Sequence, residues 1–448
     1  MKSFFKQTGI QLLILTYSLL ILTSCSVTKQ ISQSAQADVL DAKALQTAHV
    51  GISIFDPSTN KYLYNYQGDK YFVPASNIKI PTCYAAMKYL GDSLVGFLIQ
   101  ETDETIRAKA TGDPTFLNEE FEVQRFLEQL KETDKKIIIE YNLKDKIEKY
   151  GSGWSWNDYE EYYLAERSAM PVYGNIVSFE IKNEKLIASP PIIRKPFFNE
   201  PMMQLLGLGN KFKVVREEDD NKFFFFSDTT NRFKKQEIPF KTKKGFTNFE
   251  FLKDKLDKPK DKVQMFFGTD FLGYKKYHSQ PTDSLLKPMM HRSDNFFAEQ
   301  SLLMVSNEML GVMNDGKIID TILKTDFKDL PQKPRWVDGS GLSRYNLFTP
   351  QDFVAILNKM KNEFGMERIK VILPTGGEGT IRSYYQADSG YIYGKTGTLS
   401  GVVAFSGFLY TKKGKLLIFS TLVNNHQATS TEVRKAIEKF IQGVRNRY

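Results

Sequence analysis

Strand-forming sequence stands near both ends of this 448-residue chain, with most of the chain between. From His49, "HVGISIFDPSTNKYLYNYQ" alternates apolar with polar side chains and breaks at Pro57-Ser58-Thr59-Asn60, the pattern of a β-hairpin. Near the C-terminus "GYIYGKTGT", "GVVAFSGFLYT" and "KLLIFSTLVNN" read as three further strands, the last two joined at Lys412-Lys413-Gly414. A final helix follows. Thr429 and Glu432 have capping-box spacing, and Val433, Ile437, Phe440, Ile441 and Val444 make its apolar face. Strands and a helix at opposite ends predict one domain built from both, residues 46–98 with 285–448. The stretch between, 99–284, reads as an insertion long enough for one or two further domains, with strands of its own in "KIIIEYNL", "IVSFEIKN" and "KFFFFSD". The helical run after Ser293, with Phe296, Phe297, Leu302 and Leu303, returns to the first domain.

Composition is that of a globular protein, 41% hydrophobic and 25% charged, with no low-complexity tract. A net charge of +9 raises the question of nucleic acid. The most basic stretch, from Arg232 to Lys262, also carries Glu237, Glu250, Asp254, Asp257 and Asp261. Mixed signs make a solvated surface, favourable towards anionic polymers or membranes, and argue against a nucleic-acid partner.

The N-terminus carries an address. Lys2 and Lys6 precede "GIQLLILTYSLLILTS", the length of a signal-peptide apolar region and short for a membrane span. It ends at Leu22-Thr23-Ser24-Cys25, which resembles a bacterial lipobox. Residues 1–24 are therefore expected to be a lipoprotein signal, Cys25 the lipidated first residue, and 25–45 a polar tether. That predicts an exported, periplasmic protein held to a membrane by its lipid. Cys83, the other cysteine, falls on a helical stripe and is expected in the core, so no disulfide framework is available and nothing spaces like a metal site.

In "VPASNIKIPTCYAAMKYLGD" the apolar residues Cys83, Ala86, Met87 and Leu90 have amphipathic helical spacing, with Gly91 as a stop. Ser76 and Lys79, three apart at its start, share a face. Such a pair is either a helix cap beside a solvated lysine or an activated nucleophile. Two further motifs follow: Ser293-Asp294-Asn295, then Lys395-Thr396-Gly397. A helix under the first and a strand under the third give the trio weight, and it is the set used by serine β-lactamases and penicillin-binding proteins. The wide first gap agrees with an insertion.

From about Ala48 to the C-terminus the chain resembles the class C low-molecular-mass penicillin-binding proteins, the D-alanyl-D-alanine carboxypeptidase/endopeptidases. "GDPTF", "GWSWNDYEEYY", "VDGSGLSRYN", "LPTGGEGTIR" and "GKTGTLSGVVAFSGF" match that family beside the trio. The resemblance implies an α/β (α+β) fold, with a β-lactamase-like transpeptidase domain whose antiparallel sheet is flanked by helices and interrupted by a mixed α/β insertion. It implies an acyl-enzyme on Ser76, Lys79 as base, and Ser293 relaying the proton to the leaving amine. Asn295 would hold the substrate amide and orient Lys79. Lys395, Thr396 and Thr398 would grip the terminal carboxylate, and the backbone N–H groups of Ser76 and Thr398 would form an oxyanion hole.

The same resemblance pairs Asp158 with Arg344 as readers of the stem-peptide diamino acid, whose amine and carboxylate suit opposite charges. Trp154 and Trp156 are assigned to the insertion core. The implied partners are peptidoglycan stem peptides, and β-lactam antibiotics as inhibitors; no cofactor is needed. None of the four histidines has a G-x-S-x-G partner, His291 is assigned a structural role, and Asp294 a helix-start role. Ser400 stands where relatives carry a longer polar side chain, "RSAMPVYGN" follows the family loosely, and Pro81 removes a donor from the early helix. No E-x-x-L-N segment is present to supply a β-lactamase's deacylating glutamate. The rival from another class is a penicillin-binding scaffold without turnover.

Overall fold

The hairpin forms where the alternation breaks. β1 (His49–Asp56) and β2 (Lys61–Tyr66) pair antiparallel, Ile52 opposite Tyr66 and Asp56 opposite Lys61. The computed structural model describes residues 28–182, 185–192, 213–226, 235–269 and 271–448. The signal segment and Cys25 lie outside the described residues. On its other edge β1 takes β15 (Leu416–Asn424), His49 opposite Asn424 and Phe55 opposite Ile418. This ladder joins the two ends of the chain. With β13 (Ile392–Leu399) and β14 (Val402–Tyr410) it completes an antiparallel sheet in the order β13-β14-β15-β1-β2.

Both faces of this sheet are covered, so β14 and β15 are buried almost end to end. On one face Ile52, Ile54, Phe405 and Phe419 pack against α9 (Ser430–Arg447) through the Val433, Ile437, Phe440, Ile441 and Val444 stripe. The Thr429–Glu432 capping box forms, each satisfying the other's backbone N–H. On the other face lies a helical layer of α2 (Lys79–Tyr89), α5 (Thr282–His291), α6 (Asn295–Leu310), α7 (Asp315–Lys324) and α8 (Pro350–Ile372). The amphipathic reading of α2 needs correction. Every residue from Lys79 to Met87 is buried, because α2 runs through the middle of that layer. A helix enclosed on all sides has no solvent stripe to show.

The second sheet belongs to the insertion and has its own core. Its order is β11-β5-β4-β3-β12, from β3 (Ser93–Glu101), β4 (Thr105–Ala110), β5 (Lys136–Asn142), β11 (Val263–Gly268) and β12 (Lys275–Pro281). It is mixed: β4–β5 and β5–β11 are parallel, the other pairs antiparallel. The expected cut at 98/99 falls inside β3, and that at 284/285 inside α5. α3 (Arg125–Glu132) and α4 (Phe246–Leu256) pack on this sheet. A smaller sheet, β10-β6-β7, and the β8–β9 hairpin complete the insertion, from β6 (Ile176–Lys182), β7 (Lys185–Ser189), β8 (Lys213–Arg216), β9 (Phe223–Phe226) and β10 (Lys235–Pro239).

Residues 28–45, expected as tether, are folded. α1 (28–35) runs into a turn of π-helix over Gln36–Leu40. Ile31, Ala35, Val39 and Leu45 are buried in the same cluster as the stripe of α9, and Asp38 pairs with Lys439 at 2.9 Å. The physical reason is a four-residue spacing from Ile31 to Ala35 to Val39, hidden among polar residues but enough to bury one side of a helix. Ile31→Ala is therefore expected to cost roughly 2–5 kcal/mol, read from the urea midpoint. A dispensable tether would show no change.

Candidate active site

Ser76 sits in a 3-10 turn, Ala75–Ile78, that feeds directly into α2. Two glycines make room for that turn. A Cβ at Gly341 would stand 1.9 Å from the Ala75 carbonyl oxygen, and one at Gly397 would stand 2.6 Å from that of Pro74. The third motif can thus lie against the backbone around Ser76 only with glycine at 397. Ala75 itself is held at φ +48°, a strained setting for a residue with a side chain. Asn77 locks the turn to the sheet, its Nδ2 donating to Ser406 Oγ at 2.8 Å.

The Lys79 amine is fully buried and points at three oxygens: Ser76 Oγ at 3.1 Å, Asn295 Oδ1 at 2.7 Å and the Ser340 carbonyl at 2.7 Å. Burial lowers its pKa to about 8, against the opposing pull of Asp338, Glu299 and Asp294. Lys395, on the edge strand β13, is equally buried. Its amine is held well below its ordinary value by burial first, then by Lys79 and Arg434. Lys395 Nζ donates to Ser293 Oγ at 2.9 Å and to the Thr396 carbonyl at 2.8 Å. Ser293 has φ +64°, immediately before α6. Asp294 caps that helix, accepting the Phe297 N–H at 2.8 Å, as expected of a helix-start acid. All three motifs converge on one cleft, whose continuation past Ser293 and Asn295 is a pocket of about 320 Å³ also lined by Tyr162 and Tyr163.

Other positions complete or revise the expected site. Thr396 Oγ1 donates to Thr380 Oγ1 at 2.7 Å. Thr398 Oγ1 accepts from Arg434 Nη2 at 2.6 Å, so α9 brings a cation to the motif strand. Nothing in the periodicity of α9 marked Arg434, which lies beside its apolar stripe. Asp338 was missed as well. Fully buried, it accepts the N–H groups of Gly341 and Ser343, the Asn346 amide and the Trp154 indole N–H. The loop is wound around this carboxylate, which places the Ser340 carbonyl at Lys79.

The tryptophans are not insertion core. Trp156 is 74% exposed, and Trp154 is half-buried with its indole on Asp338. Aromatic bulk suggested burial, but a ring with an N–H seeks a polar partner. Asp158 is half-buried beside Tyr163, and exposed Arg344 donates to the Ser400 carbonyl at 2.9 Å. Among the described residues no ion pair joins Asp158 to Arg344. His291 faces Glu378, 4.0 Å away.

A helix-covered antiparallel sheet with a buried lysine on a serine hydroxyl, a second serine on a second lysine, and a glycine-lined edge strand defines a serine acyl-transfer enzyme of the penicillin-binding class. The chain matches the D-Ala-D-Ala carboxypeptidase 3 (S13) family over residues 31–205 and 273–447, and it belongs to that family. It is 23% identical over 451 residues to the D-alanyl-D-alanine carboxypeptidase DacB of Haemophilus influenzae, covering 91% of this chain and 92% of that one. The crystal structure of penicillin binding protein 4 from the same organism superposes with a TM-score of 0.68 at 21% identity, over 92% and 97% of the two chains. A predatory peptidoglycan endopeptidase from Bdellovibrio bacteriovorus shares the fold more distantly, with a TM-score of 0.51 at 13% identity over 89% and 93%. The expected fold class, an antiparallel sheet between helices with a mixed insertion, is the one observed.

Proposed function

We propose that the protein hydrolyses D-Ala-D-X bonds of peptidoglycan stem peptides through an acyl-enzyme on Ser76. The observation that carries this is the Lys79 amine, buried, lowered to about 8 and 3.1 Å from Ser76 Oγ. As Oγ attacks the carbonyl carbon of the penultimate D-alanine, neutral Lys79 takes the hydroxyl proton. The amide C–N bond then breaks, and its nitrogen receives a proton through Ser293 Oγ, which Lys395 holds. Water repeats the attack on the ester with Lys79 again as base, freeing Ser76. The oxyanion is bound by the backbone N–H groups of Ser76 and Thr398, each worth roughly 3 kcal/mol.

The terminal carboxylate falls to Lys395, Thr396 and Thr398, and Arg434 adds a charge that the three motifs lack. Asn295 holds the substrate's backbone amide. Asp158 and Arg344 take the amine and carboxylate of a diamino acid such as meso-diaminopimelate. Arg434→Ala is expected to raise KM for a D-Ala-terminated peptide about 10-fold with little change in kcat, consistent with loss of one charge-assisted hydrogen bond. Steady-state kinetics with free and amidated C-termini measure it, since the amide should be insensitive to the change.

We extend the reading to the cell envelope: lipidation at Cys25 holds the enzyme to a membrane in the periplasm. The experiment for the catalytic reading is incubation with labelled penicillin followed by peptide mapping. An adduct on Ser76 supports it, and a turnover-dead scaffold with a closed site gives none. Digestion of purified muropeptides then separates D-alanine release from cross-link cleavage.

A further inference from the structure

Behind the Lys79 amine stands a buried acid outside the three motifs. Glu299, one turn along α6 from Asn295, is 1% exposed. Its Oε1 accepts the Ser340 N–H at 2.7 Å, and its Oε2 faces Arg167 Nη1 at 3.2 Å. Arg167 is itself buried, and it also binds Asp315 at 2.5 Å and the carbonyls of Glu148 and Tyr150. The carbonyl of the same Ser340 accepts from Lys79. Ser340 is therefore pinned at both ends, its N–H on a carboxylate and its C=O on the amine that must act as base.

The geometry around Nζ decides what this does. A neutral amine has two N–H bonds and one lone pair. Of its three neighbours, the Ser340 carbonyl can only accept. Asn295 presents its oxygen, because its Nδ2 donates to the Tyr163 carbonyl at 3.3 Å. Both N–H bonds are thus committed, and the lone pair is left facing the one neighbour able to donate, Ser76 Oγ. We propose that Glu299 is a positioning residue for acylation: through Ser340 it aims the Lys79 lone pair at Ser76, and its charge, balanced by Arg167, tunes the proton affinity of that amine. This rests on the reading of Lys79 as base.

The charged groups around the pair come from every neighbouring element. Lys79 is faced by Glu299 and Asp294 of α6, by Asp338 of the wound loop and by Lys395 of β13; Glu299 is faced by Asp338, Asp315 and Arg167. Burial and Asp338 push the Glu299 pKa up, while Arg167 opposes them. An anionic Glu299 favours protonated Lys79, and Arg167 offsets that influence.

The test is the pH dependence of penicillin acylation of the full-length protein. Glu299→Gln keeps an acceptor for Ser340 and removes the charge, so the acid limb is expected to move down by about one pH unit. A residue that only supported the fold would lower the rate without moving the limb. The E299Q/R167M double variant avoids two donors facing each other; it keeps the test available should a single variant fail to fold, and its limb is expected below the wild type's. Limbs unmoved in folded variants, or a double variant at or above the wild-type position, overturn the proposal. Wild-type protein that forms no Ser76 adduct would instead overturn the underlying catalytic reading.

Discussion

Replacing Ser76 by alanine is expected to lower release of D-alanine from a stem peptide by about a million-fold in kcat, the scale on which a serine enzyme loses its nucleophile. Only one oxygen atom is removed. The Lys79 amine keeps Asn295 and Ser340 as acceptors, the Asn77–Ser406 tie still holds the turn, and the carboxylate grip is untouched. Thermal melting should therefore stay within the range of a surface substitution, and a D-Ala-terminated peptide should bind with nearly its wild-type Kd. Stopped assays over hours, with melting and titration calorimetry on the same preparation, measure all three. Loss of binding together with activity would mean that Ser76 is structural; undiminished hydrolysis would place the nucleophile elsewhere.

Much of this site was legible because its chemistry is local. Ser76 and Lys79 are close in sequence, and Lys395, Thr396 and Thr398 lie on one strand. The strands at the chain ends announced their pairing by alternation, and Thr429 and Glu432 announced a helix start. What escaped is held by partners distant in sequence. The ion pair of Arg167 with Glu299 joins positions 132 apart, and Glu299 in sequence is one polar residue in an apolar helical run. Asp338 satisfies the loop that follows it and the Trp154 indole, which no periodicity records. α2 is buried all round, and a pattern that looks for one apolar stripe sees only part of it. Residues 28–45 looked polar because few of their side chains face the core, yet those few are spaced to reach α9. In each case the missing information was tertiary: where a charge finds its counter-charge, and which surface a short stripe covers.

The electrostatics of Lys79 lead to the second large effect. With the amine lowered to about 8, kcat/KM should rise roughly tenfold per pH unit below that value and level off above it. An ordinary lysine would keep the rate climbing to beyond pH 10. Lys79→Arg holds the positive charge and cannot surrender its proton, so acylation should fall by about 10²–10⁴-fold and its acid limb disappear. Stability follows the same shift with a definite sign. The unfolded chain keeps this lysine protonated to about pH 10.4, whereas the folded protein releases the proton near 8, so the unfolded state holds more protons between those values. Stability therefore rises with pH across that window, and below it the burial of a charged amine is felt in full. Lys79→Met removes the titrating group. The wild-type stability minus that of K79M should increase from pH 8 to pH 10 by up to about 3 kcal/mol, measured by urea denaturation at each pH. A flat difference, with a rate profile that still climbs past pH 10, would mean that the amine rests as an ordinary charged lysine, and the base would have to be sought in another group of the cleft.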